Sequence, residues 1–216
     1  GSYTITWFLE RIACESMFGM GDGISAEDIY ESAAAEIPPG ADGLMLVPYW
    51  NTAMSPYWDA AASGMIVGWR GYHTLAHLYR AILEGIGFEL RLQLEGVEAA
   101  RGSEVGRIVA MGGGTKSRMW SQMIADMTGK PITLCKTVEA SALGAGILAA
   151  YGVGLFPDVA AAAAAMTHVE PGVLTPDLER HALYTTLYEE VYRHLFPMLQ
   201  PYLQKLTELS HDQTEA

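Results

Sequence analysis

The residues with the clearest chemical potential run Ile108-Val109-Ala110-Met111-Gly112-Gly113-Gly114-Thr115-Lys116-Ser117. An apolar, β-prone run enters three consecutive glycines, and a helical pattern begins at Arg118. Glycines between a strand and a helix expose backbone N–H groups with no Cβ in the way, and the helix N-terminus adds a positive dipole end. That chemistry suits a phosphate or a nucleotide. Two common phosphate motifs do not fit. A P-loop needs Gly directly before Lys-Ser/Thr, and here Thr115 precedes Lys116. A dinucleotide fingerprint needs a third glycine where Ser117 stands. On the glycines alone, a tight structural turn weighs as heavily as a ligand site.

Other chemistry-bearing residues read as structural. His73 and His77 have the i, i+4 spacing of metal ligands, but no Glu lies between them and no third ligand is visible, so they read as surface or cleft-facing side chains. Asp59 reads as a loop cap and Glu84 as the i, i+4 ion-pair partner of Arg80. Asp126 lies too far along its helix to reach a phosphate at the glycines, and Glu139 stands at a helix start as a cap. None is nominated as a catalytic base, and no metal ligand is assigned. Cys14 and Cys135 sit in apolar surroundings and read as reduced structural thiols.

The elements that must position the glycine turn follow from periodicity. Thr4 to Phe18 is helical, ended by Gly19 and Gly21, and Ser25 with Asp28 announces a second helix over 26–35. Gly43 to Val47 and Gly64 to Gly68 are short strands flanking an aromatic loop with Tyr49, Trp50, Tyr57 and Trp58, read first as core. Tyr72 to Arg101 is one long helix, in which Gly85 and Gly87 imply close packing. Val105 to Met111 is the strand entering the glycines. A helix to Thr128 follows, with Met119, Met123 and Met127 as its core stripe, then a strand over 132–135. Helices over 139–151, 158–166 and 177–209 complete the chain, the last bent or broken at Pro197 and Pro201 and presenting Tyr184, Leu187, Tyr188, Val191 and Leu195 to the sheet. Dimerisation through it is a secondary reading. The alternation is that of an α/β protein with a mixed sheet flanked by helices.

The 216 residues carry a net charge of −12 and no Lys/Arg cluster, which argues against nucleic acid. Acidity does not exclude ATP, because magnesium and backbone amides can carry phosphate charge locally. No apolar run approaches the roughly 18 residues of a membrane span, so no membrane association and a cytoplasmic location are expected. The Gly1-Ser2 opening without Met reads as a fragment or processed piece.

Four blocks, in order, carry a family resemblance: Pro48 through Ser55-Pro56-Tyr57-Trp58-Asp59 to Gly68; Tyr79 to Arg91; Met111-Gly112-Gly113-Gly114 through Trp120, Gln122, Ala125 and Asp126 to Pro131; and Glu139 to Gly146. Together they make the chain resemble the C-terminal domain of the FGGY carbohydrate kinases, which phosphorylate xylulose, ribulose, gluconate, glycerol and related sugars and polyols with ATP. The resemblance implies one ribonuclease-H-like lobe of a two-lobed enzyme of the actin-like ATPase superfamily, here lacking its first strands. Sugar and ATP then bind between the lobes. Gly112, Gly113 and Gly114 become the adenosine motif, and Ser117 stands where many members have Asn or Ser near the adenine. Ala142, Gly144 and Ala145 would let a second helix pack tightly behind. The catalytic Asp, both phosphate loops and the main magnesium ligands are implied to precede Gly1, so residues 1–216 are expected to bind ATP or ADP without turnover. The family's Gly-Glu-Arg-like segment is replaced by Asn51-Thr52-Ala53-Met54, which leaves the sugar open. A non-catalytic actin-like nucleotide switch, or a purely structural α/β domain, are the alternative readings.

Overall fold

The computed structural model describes residues 2–13, 25–137 and 139–211. Cys14 and the Gly19 and Gly21 helix stop lie outside the described residues. The chain divides into two compact units, residues 1–104 with 178–216, and residues 105–177.

The first unit is built around α3, Leu75–Arg101, a helix of 27 residues. Thr74 is its N-cap, so it begins at Leu75 rather than Tyr72, and it ends on Gly102, whose φ of 67° closes the last turn left-handed. Before it come α1, Ser2–Trp7, running into a π-helical turn over Phe8–Ile12, and α2, Ala26–Ala35. Ser25 caps α2 as its sequence announces: the Asp28 amide donates to Ser25 Oγ at 3.1 Å, and the Ser25 amide donates to Asp28 Oδ2 at 3.3 Å. Strands β1, Met45–Val47, and β2, Met65–Val67, pair antiparallel with Leu46 opposite Ile66. β1 lies directly on α3. A Cβ on Gly85 would come within 2.2 Å of the Leu46 carbonyl oxygen, which is the close approach its glycine implies.

The terminal helices pack along α3 rather than capping a sheet. α7, Leu178–Leu187, passes through a π turn over Tyr188–Tyr192 into α8, Arg193–His211. Tyr184, Tyr188, Tyr192 and Phe196, spaced by four, form its buried face, whereas Val191 is exposed. A spacing of four drifts around an α-helix of about 3.6 residues per turn, and the wider π turn takes up the drift. The helix is not broken at Pro197 or Pro201; it runs through both, which lie on its exposed side where water can take the freed carbonyls.

A buried ionic network joins these pieces. Arg80 Nε donates to Glu84 Oε1 at 2.8 Å, and the same oxygen accepts from the Gly40 amide at 3.0 Å and the Tyr184 hydroxyl at 2.9 Å. The Arg80 guanidinium also donates to the Ala34 carbonyl and the Tyr184 hydroxyl, both at 3.0 Å. The expected i, i+4 pair is thus the junction of α2, the Gly40 turn, α3 and α7. Burial pushes the Glu84 carboxyl up, and the Arg80 charge with its three donors pulls it back. A second carboxyl of α3, Glu89, accepts from the Tyr49 hydroxyl at 2.8 Å and the Tyr192 hydroxyl at 2.7 Å. Burial raises its pKa, only partly offset by the two tyrosines.

In the second unit, β3, Ile108–Ala110, pairs parallel with β4, Ile132–Leu134, in the register Ile108 to Ile132. The strands of this α/β chain therefore form an antiparallel and a parallel pair in separate units. α4, Arg118–Thr128, covers the parallel pair, with Ala125, Ile132, Leu134 and Leu174 as its core. α5, Ala140–Gly152, packs with α6, Val159–Met166, and buries only Ile147.

Two outcomes follow. Arg80→Ala leaves Glu84 buried and uncompensated and should cost about 3–5 kcal/mol in urea unfolding, well above a surface Arg→Ala control. For Glu89, the native pKa exceeds the unfolded value, so the native state holds the extra proton. Stability should fall as pH rises from about 4.5 through the raised native pKa. Urea midpoints should show that component in the wild type and not in Glu89→Gln; a pH-independent difference between the two would contradict it.

Candidate functional site

The glycine turn is built by three different demands. The chain leaves β3 at Met111, and Gly112 adopts φ 98° and ψ −178°, a conformation open in practice to glycine alone. Gly113–Lys116 then form a 3₁₀ turn. It is tied back by the Thr115 hydroxyl, donating to the Gly112 carbonyl at 2.8 Å, and by the Thr115 amide to the same oxygen at 3.2 Å. A Cβ on Gly112 or on Gly113 would meet nothing within 4 Å, so the turn is open at both residues. Gly114 is closed: its Cβ would come within 2.7 Å of the Trp120 ring. The indole, from the first turn of α4, lies against Gly114, a contact sequence spacing does not reveal.

Ser117 is the N-cap of α4. Its Oγ accepts the Trp120 amide at 3.0 Å, and its carbonyl accepts from the Ser121 amide at 3.0 Å and hydroxyl at 2.9 Å. Asn and Ser are both among the strongest N-cap residues, so capping alone accounts for either residue at this position. Two exposed cations, Lys116 and Arg118, follow the glycines. The turn thus combines an open backbone, a helix N-terminus and nearby positive charge, which is what an anion requires.

The other candidates settle into structural work. Asp126 Oδ1 accepts the Gln122 side-chain amide at 2.8 Å and the Asp177 amide at 2.9 Å, fastening the 175–177 segment to α4. Glu139 occupies the N-cap position of α5 but its side chain makes no capping hydrogen bond, so its expected role is not seen. Ala142 and Ala145 are exposed and the space beside Gly144 is open, so the tight packing expected of them is absent from the described residues. Cys135 is buried, with its Sγ 3.3 Å from the His168 carbonyl.

In the other unit, His73 is buried rather than cleft-facing. Its Nδ1 accepts the Arg70 amide at 2.9 Å, leaving Nε2 to donate to the Asp42 carbonyl at 3.3 Å. His77 Nδ1 accepts the Thr74 amide at 3.2 Å, and its Nε2 reaches the Asp42 carboxylate at 3.3 Å. Both rings clasp the Asp42 turn to the start of α3. No group of three or more metal-ligating side chains occurs among the described residues. Asp59 is more than a loop cap. Its Oδ1 accepts the Ala61 amide at 2.9 Å, and Oδ2 accepts the side-chain amides of Gln200 at 2.6 Å and Gln204 at 3.0 Å. The Gln200 bond, then the Ala61 amide, hold its carboxyl below the ordinary value. Of the aromatic loop, Tyr49 is core, packed edge-on to Phe196 at 4.8 Å, but Trp58 is 72% exposed.

Residues 1–153 match the family model for the C-terminal domain of the FGGY family of carbohydrate kinases. The chain belongs to this family. Among curated relatives, a xylulose kinase of Staphylococcus epidermidis is 37% identical over 172 residues, covering 78% of this chain and 34% of that protein. A xylulose kinase of Bacillus subtilis is 32% identical over 195 residues, covering 89% of this chain and 37% of that protein. Among solved structures, the xylulose kinase from Rhodospirillum rubrum matches with a TM-score of 0.76 at 31% identity, over 94% of this chain and 38% of that one. The ligand-bound xylulose kinase from Lactobacillus acidophilus matches at 0.77 and 25% identity, over 95% and 39%. The chain therefore spans 34–39% of the length of these four proteins. No described helix of this FGGY domain is long and apolar enough to cross a membrane.

The three glycines should respond differently to alanine. Gly112→Ala forces a side chain into the positive-φ region and should cost about 1–3 kcal/mol. Gly113→Ala, in ordinary backbone with open space, should be neutral or stabilising by up to about 1 kcal/mol. Urea unfolding of the two variants checks the order; equal losses would mean that the turn has another conformation.

Proposed function

We propose that residues 1–216 are the nucleotide-binding C-terminal lobe of a two-lobed sugar kinase. The reaction is transfer of the γ-phosphoryl of ATP to a hydroxyl of a ketose or polyol, in the cytoplasm. The observation that carries this reading is the open Gly113 face of the turn, inside the segment that matches the FGGY domain. When bound with magnesium, ATP supplies the phosphoryl group and the metal offsets its charge. On this reading the amides of Gly112, Gly113 and Gly114 bind the nucleotide from its adenosine and α-phosphate side. Gly112 gives the turn its path, Gly113 leaves room for approach, and Gly114 admits the Trp120 ring that supports the turn. Ser117 holds the start of α4 beside the nucleotide, and its cap keeps the first amides of that helix in place. No residue of this chain is assigned the proton abstraction from the sugar. That base and the main magnesium ligands are proposed to belong to the other lobe, because phosphoryl transfer needs groups on both sides of the γ-phosphate.

Calorimetry with MgATP and MgADP should show binding by this chain without phosphorylation of any sugar. Gly113→Val, which fills the open face, should weaken binding at least tenfold while leaving the unfolding midpoint close to wild type. Unchanged affinity would remove the glycine assignment. A kinase assay of the complete gene product against xylulose, ribulose, hexuloses, gluconate and glycerol would identify the acceptor, and no activity on any sugar or polyol would remove the kinase reading.

A further inference from the structure

Helix α8 is apolar on two opposite sides. Its inner side holds Phe196, packed on Tyr49 and Tyr57 with ring centroids 4.8 and 4.7 Å away, and Gln200 and Gln204 reach Asp59 from that same side. Its outer side carries Met198, Tyr202, Leu206 and Leu209, all 51–70% exposed, with half-buried Leu195 ahead of them. At about 100° per residue these five side chains fall in one stripe roughly 80° wide, turned away from the glutamines. A helix on the surface of a globular protein keeps one apolar stripe for the core and offers a polar face to water; a second apolar stripe calls for a second partner.

The order of the outer stripe says what that partner is. Leu195, Met198, Tyr202, Leu206 and Leu209 follow one another at steps of three, four, four and three, so the stripe reads the same from either end about Tyr202. A stripe with its own centre of symmetry fits a second, antiparallel copy of itself about a two-fold axis. Tyr202 then meets Tyr202, Met198 meets Leu206, and Leu195 meets Leu209. An unrelated partner would not require that symmetry. The charges agree. The chain carries −12 overall, which holds copies apart over most of the surface. Within α8, however, Glu208 is the one acid against Arg193 and Lys205. Glu208 pairs with Lys205 at 2.8 Å and Arg193 pairs with Glu189, so two copies of this helix meet without like-charge repulsion.

We infer that the outer face of α8 is a homodimer interface, an antiparallel pair of α8 helices about a two-fold axis at Tyr202. The contact runs along about 20 Å of helix at 1.5 Å per residue. One helix face from each copy is less than the roughly 800 Å² per partner of a standard interface, so the dimer is reversible and concentration-dependent. The interface lies in the unit that does not contain the glycine turn, and it does not depend on the nucleotide reading.

The test is sedimentation velocity of the whole chain from micromolar to near-millimolar concentration. The wild type should show a monomer–dimer equilibrium with a dissociation constant in the micromolar range. Tyr202→Glu and Leu206→Glu, both at exposed positions, should each raise that constant at least tenfold and keep the wild-type circular dichroism spectrum. Leu155→Glu, at an exposed apolar position of the other unit, should leave the constant unchanged. Mild oxidation of Tyr202→Cys should give a disulfide-linked dimer that the wild type does not form, whereas Leu209→Cys, two helical turns from the axis, should not. A chain that stays monomeric throughout, a dimer that survives both glutamates, or a Leu209→Cys cross-link as complete as that of Tyr202→Cys would each overturn the proposal. Loss of the dimer in Leu155→Glu would overturn it in favour of an interface on the other unit.

Discussion

The Arg80–Glu84 pair is the constraint on which the first unit depends. A buried charge is tolerated only when its partners are complete, and here they come from four separate places in the sequence. Glu84 Oε1 needs the Gly40 amide, which requires the turn after α2 to sit against α3. It needs the Tyr184 hydroxyl, which requires α7 to return from a position 100 residues further along the chain. Hydrophobic contact alone is non-directional and would allow these elements to slide. The ion pair with its hydrogen bonds has one geometry, and so it sets which face of each element points inward.

The tyrosine ladder extends that anchoring along the helix. Tyr184, Tyr188 and Tyr192 each bring a ring to the apolar face and a hydroxyl to a carboxylate of α3: Glu84, Glu95 and Glu89. The rings of Tyr184, Tyr188 and Tyr192 gather around Phe88, with centroids 6.1, 6.1 and 4.7 Å away. Arg91 adds a cation over the Tyr188 ring at 4.5 Å. Keeping a four-residue repeat against a straight helix demands a local change of pitch. The π turn at Tyr188–Tyr192 supplies it, so the irregularity of this helix lies at the packing face and not at its prolines.

The glycine turn obeys a different logic. It is held by its own hydrogen bonds, by the cap at Ser117 and by the indole of Trp120, all within the short β3–α4 connection. Its conformation is therefore local, and a local sequence reading could find it. What that reading could not do was divide the labour among three identical residues. Gly112 answers to backbone torsion, Gly113 to open space and Gly114 to a side chain six residues ahead.

The sequence by itself determined the features whose causes are close along the chain. These were the α2 capping box, the extent of α4, the strands entering and leaving it, the i, i+4 partnership of Arg80 and Glu84, and the motif order that places the chain among FGGY domains. Only the tertiary structure decided the features whose partners are distant. It buried His73 and bound both histidines to Asp42. It made Asp59 a clasp for Gln200 and Gln204, more than 140 residues away. It left Ala142 and Ala145 uncovered, passed a helix through Pro197 and Pro201, and set Glu89 between the hydroxyls of Tyr49 and Tyr192. Periodicity and capping report energies exchanged within one or two turns of chain. Which carboxylate is buried, and what donors reach it, is settled by chain segments meeting across space, and spacing along the sequence carries no record of that meeting.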